Sequence, residues 1–534
     1  MMPIVCFLIC QGACAIDISF SASNGGGTVG MIDSYDVDDS VGVSSRSSAS
    51  FGDGVSMTDS KSISGSGDAN INQVLYGSGR GADYVINYAL ETFGASSLEG
   101  SGGATLTPES GSVSRSASTI GSSETFSELY GTQEGDFAGV ASGVLDGDLT
   151  TSQSFAAGQS VAATQNMRAN GEVAVAYSEA EDAEGSLAWT SSLMTNGMMS
   201  TAQTAESGNS ARSSQTSEIN ASLGRAGSGA LDADGNFART YVEMRDEEGD
   251  GVLVTEQTAE ADGGAEADQI SFMEADRGEA GSMARDDNGN VAVTEAVMVN
   301  GSLETEQGTW AGEDRWFDDE GAVAFQWTEI IAERGAARSE ARDDNGNLAV
   351  TEAVMANGTL ETVQGAWAGE DWRFEYEGAE AGQWTEITAE NGSAESYAED
   401  SNESYVEISA KFENGTLETE QWAEASNSAS GYQNTSIEGE FAYAFCEANN
   451  TGKDYYAYVD NWIEGNASLE FEGEASVNAS KARANQSSHA EGDFIWPWAN
   501  STSLDREVVT NGTYRSESKA WTNGTGEGAV IVEL

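Results

Sequence analysis

The sequence predicts an all-β chain, a repetitive antiparallel β-meander or β-solenoid-like array, and three observations carry that reading. First, a block of about 57 residues recurs, with Asn300-Gly301-Ser302-Leu303-Glu304-Thr305-Glu306-Gln307 returning from Asn357 to Gln364 and again from Asn414 to Gln421. Second, Asn-Gly and other glycine pairs punctuate each block, at Asn288-Gly289, Asn300-Gly301, Ala311-Gly312, Glu320-Gly321 and Arg334-Gly335. Third, the runs between them, such as Val291 to Val299 and Ser302 to Trp310, are strand-length, β-branched and partly alternating. Self-similarity at a fixed period marks units that cannot bury their own apolar face and pack on their neighbours.

The first two blocks agree beyond the octapeptide. Ala284 to Asn290 matches Ala341 to Asn347, Trp310 matches Trp367, and Trp327 matches Trp384. Looser echoes at Asn170-Gly171, Asp234-Gly235 and Asn466-Ala467-Ser468-Leu469-Glu470 extend a degenerating array over residues 165–534. Asn-Gly favours hairpin turns because both central residues take positive φ. Each repeat is therefore expected to hold four or five short strands, with Asn300, Asn357 and Asn414 in turns. Helices are the competing reading, since Ala and Glu favour them, but glycines this regularly placed leave little room for ten-residue helices.

Residues 16–164 are rich in Ser and Gly and offer two readings, β or partly disordered, because little apolar area stands there against the cost of ordering a backbone. Residues 1–15 read as a secretory signal peptide: an apolar run, Pro3 to Cys10, precedes Ala13-Cys14-Ala15, with cleavage expected between Ala15 and Ile16. A buried N-terminal strand is the alternative. Three of the four cysteines lie in that leader, leaving Cys446 either buried or in a disulfide between subunits.

An extracellular, cell-surface location is also expected from the sequons at Asn220, Asn300, Asn357, Asn391, Asn402, Asn414, Asn434, Asn449, Asn466, Asn478, Asn485, Asn500, Asn511 and Asn523. Their crowding after residue 300 carries the argument, because single matches arise by chance. No apolar run long enough for a transmembrane anchor follows the leader.

The formal charge of −66, from 89 acidic and 23 basic residues, excludes nucleic acid as a partner, since phosphate binding needs clustered Lys and Arg. Catalysis finds little support. His489 is the sole histidine and Cys446 the one cysteine outside the leader, so repeated Cys/His dyads and Cys/His zinc sites lack their parts. Paired carboxylates for glycoside hydrolysis carry no specificity among so many acids, and Gly77 to Gly81 reads as a loop. No enzyme is expected, and no catalytic residue is assigned. Nor is a cofactor expected, apart from calcium or another divalent cation held weakly at Asp232, Asp234, Asp286, Asp287, Asp343 and Asp344; turn duty is the commoner role for such acidic loops. The tryptophans at 310, 316, 327, 367, 372 and 384 are expected in the core of stacked units, with a carbohydrate-stacking stripe as the alternative.

Only three prolines occur in the chain, so little guards its strand edges against pairing with other chains. Taken together, the leader, the acidic and glycosylatable chain, the Asn-Gly-(Ser/Thr)-Leu-Glu-Thr repeats and the scarcity of Pro and Lys resemble the major sheath proteins of filamentous methanogenic archaea. The resemblance rests mainly on residues 165–534. It implies a secreted homopolymer, a functional amyloid with amyloid-like stacking between subunits, forming a sheath or surface layer around the cell. The alternatives are an adhesin that binds glycans or partner cells through exposed aromatic rows and, further off, a secreted glycoside-active enzyme.

Overall fold

The computed structural model describes the backbone of 28 strands between Cys6 and Asn523, and their side chains between 137 and 434 with short breaks. Of the expected leader only the two-residue strand Cys6–Phe7 is described; the rest of that segment, Trp316, Trp372, Asn402 and Asn511 lie outside the described residues. The chain divides into two compact units, Met1–Asp262 and Gly263–Leu534. The boundary expected near residue 165 falls inside one strand.

The first unit opens with short strands: β1 (Cys6–Phe7), β2 (Ile16–Ser23), β3 (Val29–Asp36), β4 (Val43–Ser50), β5 (Ser56–Ser64), β6 (Ala69–Gly77), β7 (Asp83–Phe93), β8 (Leu98–Leu106), β9 (Ser110–Ile120), β10 (Ser123–Tyr130), β11 (Phe137–Leu145) and β12 (Asp148–Ala157). From β1 to β10 each strand pairs in parallel with the strand two places on, giving one ladder of odd and one of even strands. That is the pattern of a solenoid with two strands per turn. At β11 and β12 the pairing becomes antiparallel, and β13 (Val161–Glu181) then spans both ladders, its residues 161–170 on β12 and 173–181 on β11. Two more long strands, β14 (Leu187–Ser207) and β15 (Ala211–Leu231), continue the meander, and β16 (Phe237–Arg245) and β17 (Val252–Ala261) each cover one half of β15.

The second unit is an antiparallel meander of long strands: β18 (Gly264–Arg285), β19 (Val291–Glu313), β20 (Glu320–Arg342), β21 (Leu348–Asp371), β22 (Tyr376–Glu399), β23 (Ser404–Ala425), β24 (Ser430–Asn450) and β25 (Tyr455–Asn478). The shorter β26 (Lys481–Glu491), β27 (Phe494–Ser501) and β28 (Tyr514–Asn523) follow. One 57-residue repeat is thus one hairpin of two strands, not four or five strands, because each strand is bent at its middle and the expected short segments are its halves.

The bend corrects the reading of the Asn-Gly pairs. Asn300, Asn357 and Asn414 are not in hairpin turns; they sit mid-strand with φ of 55°, 55° and 53°. Asn tolerates this left-handed conformation better than any other non-glycine residue because its short polar side chain can bond locally. The Asn300 and Asn357 amides donate to Glu333 and Glu390 on the next strand, each at 2.8 Å. The glycine that follows is dictated by backbone approach: a Cβ on Gly301 or Gly358 would lie within about 2 Å of a carbonyl oxygen of the adjacent strand. True turns fall at Asp286 to Asn290 and Asp343 to Asn347, where Gly289 and Gly346 have positive φ. Ala311-Gly312, Glu320-Gly321 and Arg334-Gly335 lie within strands.

The bend also shifts the side-chain alternation by one residue. In β19 the even positions 292–298 are buried before Asn300 and the odd positions 303–311 after it. Each strand therefore folds its two halves over a shared interior, giving two layers: a near layer beside the acidic turns and a far layer beyond the bend. Gly335 faces Ile330 across the fold, as Gly392 faces Ile387.

Rows of like residues run from strand to strand through that interior. Leu303, Ile330, Leu360, Ile387 and Leu417 stand in register and are fully buried, each contributing about 1.5 to 3 kcal/mol. Opposite them Gly278, Met298, Gly335, Met355, Gly392 and Phe412 alternate, so that every bulky side chain fills the space of a flanking glycine. A third row is glutamine: Gln269, Gln307, Gln326, Gln364, Gln383, Gln421 and Gln433 in the second unit, and Gln153, Gln165, Gln203, Gln215 and Gln257 in the first, all buried. Their amides cross between layers: Gln307, Gln364 and Gln421 donate to the carbonyls of Ala280, Ala337 and Ala394 at 3.2 to 3.3 Å.

Replacing Asn357 by Val is expected to cost about 1 to 2 kcal/mol, the penalty of a left-handed conformation for a branched residue, whereas Asn357→Gly leaves stability within a few tenths of the original. Urea unfolding measures both, and equal losses for the two would show that the conformation is not what selects asparagine.

Candidate functional site: the outer faces of the second unit

Because inner positions are filled by small, apolar and amide side chains, chemistry that meets solvent is confined to the two outer faces and the turns. The turns come first. In the loop at 232–236 the Asp232 Oδ1 accepts the N–H groups of Asp234, Gly235 and Asn236 at 2.8 to 3.0 Å, and Oδ2 accepts the Asn236 amide at 2.6 Å. Asp286 repeats this with Gly289 and Asn290, and Asp343 with Asn347. These three carboxylates are buried and spend their lone pairs on the turn; Asp234, Asp287 and Asp344 point outward. Neighbouring turns are tied by the Asp344 N–H, which donates to the Asn290 side chain at 3.0 Å. Among the described residues no three His, Cys, Asp or Glu converge as a metal site would require.

The repeated tryptophans are not in the core. Trp310, Trp327, Trp367 and Trp384 all occupy outward positions of the far layer, joined there by Phe325 and Trp422. Phe325, Trp384 and Trp422 are 46, 37 and 47 % exposed, against 0 % for the leucines and isoleucines on the inner side of the same layer. The interior is filled by Ala, Ser, Thr and Gln and by the Leu/Ile row, with Phe412 finding room beside Gly392. On the outer face glycine makes room: in the row Gly308, Phe325, Gly365, Gly382, Trp422 each ring has glycine beside it, and the Trp422 ring lies about 3.1 Å from where a Gly382 Cβ would stand. Trp327 and Trp384 share one row two strands apart, as do Trp310 and Trp367, a separation of about 9.6 Å from the spacing of strands.

Acids lie on both outer faces, whereas the bases are confined to one. The far layer of β18 to β23 carries carboxylates on every strand, with Glu304, Glu329, Glu361, Glu386 and Glu418 directly in register, and no lysine or arginine. All the bases of these six strands, Arg277, Arg285, Arg334, Arg338, Arg342 and Lys411, are exposed on the near layer. There they are interspersed with acids, as in the Arg338 to Glu340 pair at 2.7 Å. They also stand among outward valines, including Val291, Val293, Val297, Val299, Val350 and Val354. Beside the bend this near face is hollowed into a groove of about 640 Å³, floored by Ala336, Ala356 and Gly392 and walled by Val299, Arg334 and Lys411.

The sequons at Asn220, Asn300, Asn357, Asn391, Asn414 and Asn434 place their asparagines at exposed positions, three of them on the ridge formed by the bends. Asn449, Asn466, Asn478, Asn485, Asn500 and Asn523 lie on strands. Cys446 is in β24, its backbone paired with Ile408 and Val459. Sequence reasoning missed the glutamine rows, although a Gln recurring at 269, 307, 326, 364, 383 and 421 was there to be found.

No protein-family model matches the chain, and neither a curated protein nor a solved structure is significantly similar to it.

Burial pushes the Asp343 carboxyl above its ordinary range, against the hydrogen bonds from Asn347. Burial does the same to Glu295, with Glu279 adding to it and Arg338 opposing. A carboxyl whose pKa is higher folded than unfolded binds its proton more tightly in the native state, so its contribution to stability is present at low pH and lost as pH rises through the folded pKa. The thermal midpoint is therefore expected to be higher at about pH 5 than at about pH 8; a midpoint that falls on mild acidification would contradict the assignment.

Proposed function

We propose that the chain is a secreted, self-assembling structural protein of the cell envelope, forming a sheath or surface layer and performing no catalysis. The observation that carries this reading is the register of the interior: identical rows of Leu/Ile, Thr, Gln and Ala pass from strand to strand, so each added repeat lengthens one cross-section and creates no new shape. That is how building material is made, since every strand supplies the surface on which the next packs. In-register glutamine rows and dry, interdigitated small side chains are also what amyloid stacks use between chains; here they lie within one. The low proline content and the resemblance to archaeal sheath proteins support the same reading. A surface location is supported by the sequons on the outward ridge.

A second reading is favoured by one observation, the exposure of Phe325, Trp384 and Trp422: an adhesin that stacks the faces of glycans on those rings. Purified protein examined by negative-stain microscopy and fibre diffraction after protease and detergent challenge separates the two. Resistant tubes, layers or filaments with a meridional reflection near about 4.7 Å are expected. Soluble, readily digested monomers would overturn the structural reading and leave the adhesin.

A further inference from the structure

We propose that Asn391 carries an N-linked glycan whose first sugars lie in the groove beside the bend of the second unit. The inference rests on the surface location proposed above and names one residue and the seat of its sugar. Asn391-Gly392-Ser393 is a glycosylation acceptor by sequence, and Asn391 is the one sequon asparagine that lines this groove. Its side chain is exposed and makes no hydrogen bond to the described residues. The bend asparagines differ: the Asn300 and Asn357 amides are held by Glu333 and Glu390 at 2.8 Å, and a sugar on either nitrogen competes with that contact.

The repeat hollows the groove by its own substitutions. At the positions of Glu279 and Val299 in the preceding block, the later ones place Ala336 and Ser393, and Ala356. Arg334, Ala356, Asn391 and Glu413 stand in one row, with Ala336, Val354, Ser393 and Lys411 in the row beside it. Asn391 therefore meets a methyl group on its β21 side, and the small residues run on to Ala336 two strands away, about 9.6 Å by the spacing of strands. The volume of about 640 Å³ lies within the range of small-molecule sites. A sugar ring presents C–H faces and a rim of hydroxyls that both donate and accept. Ala336, Ala356 and Gly392 offer the faces an apolar floor, while Arg334, Lys411 and Glu413 offer the rim donors and an acceptor. A wall of mixed sign suits a neutral polyhydroxyl group, whereas a simple anion would meet Glu413 and a cation the two bases.

Attachment is a transfer to nitrogen from a sugar activated as a lipid-linked phosphate ester. The anomeric C1–O bond of the donor breaks, C1 bonds to Asn391 Nδ2, that nitrogen gives up one proton, and the lipid phosphate leaves with the bonding pair. Asn391 is paired on both sides in the sheet, with Ala356 and Glu413, so the transfer precedes strand pairing and the sugar settles into the groove as the sheet closes.

The test uses the full chain from the envelope fraction of the cells that make it, with glycopeptide mass spectrometry as readout and periodate as probe. The peptide spanning Asn391 is expected to carry sugar, lost in Ser393→Ala and kept in Ser393→Thr. Periodate, which cleaves vicinal diols, is expected to oxidise that sugar several-fold more slowly in the folded chain than after unfolding in urea. The gap in urea midpoint between the two variants should be wider for protein from those cells than for protein from a host that attaches no sugar, because only in the first case does Ser393→Ala remove a seated glycan. A bare Asn391 in envelope-derived chain, a sugar oxidised equally fast in both states, or an unchanged gap would each overturn the inference and leave the surface location intact. Chain recovered only from the cell interior would overturn the surface location and this inference together.

Discussion

The architecture depends on one backbone constraint, the left-handed asparagine at the middle of the long strands. A strand of more than twenty residues left straight would present one face along its whole length, and that face would need a separate partner. Turning a single residue into the left-handed region bends the strand and moves the buried positions from even to odd, so the two halves supply each other's cover. Asn bears the conformation and Gly admits the neighbouring backbone, which is why they recur as a pair. The partner strand needs no such residue: β20 and β22 pass the bend with Glu333 and Glu390 opposite, bonded to the asparagine amides. The period of the sequence is therefore two strands, one that initiates the bend and one that follows it.

Once folded over, the interior holds one aliphatic row and otherwise mostly small or amide side chains. Alanine, serine and threonine dominate; in the second unit Met298, Met355 and Phe412 enter beside glycine. Glutamine is the exception that holds the layers together. A buried amide left without partners costs about 1 to 3 kcal/mol by mutational measure, and the ladder meets only part of that demand. Gln326 and Gln383 accept from Ser339 and Ser396, whereas the Oε1 atoms of Gln307, Gln364 and Gln421 have no partner. Such rows add less stability than an aliphatic stack would. Their stronger effect is on register, because a strand displaced by one residue would expose its amides outward and bury glutamates in their place.

The β class and the repeat were legible because alternation and period are properties of local sequence, and no helix occurs among the described residues. The place of the bend was not. Asn288-Gly289 and Asn300-Gly301 are the same dipeptide, yet one reverses the chain and the other folds a strand. What separates them is the preceding aspartate at 286, whose carboxylate caps the turn, and the Glu333 across the sheet, which no local rule connects to Asn300. The aromatic positions misled for a related reason. Repeated tryptophan normally marks a core, but here alternate positions within each half face outward, and the shift at the bend hides which alternate set that is. Reading parity separately on either side of each Asn-Gly would have put Trp310 outside, together with Glu304 and Glu306.

The remaining question is why so acidic a chain packs glutamates in rows at all. Adjacent carboxylates one strand apart repel by about 0.9 kcal/mol in water, and salt screens part of that. The Leu and Ile row one position away on the inner side returns about 1.5 to 3 kcal/mol for each strand added, so the sheet grows through this row despite its charge. What the row forbids is contact between like faces. Every base of these strands lies on the opposite face, where the described acids still outnumber them, so both outer faces stay anionic and the inner rows carry the cohesion of the sheet.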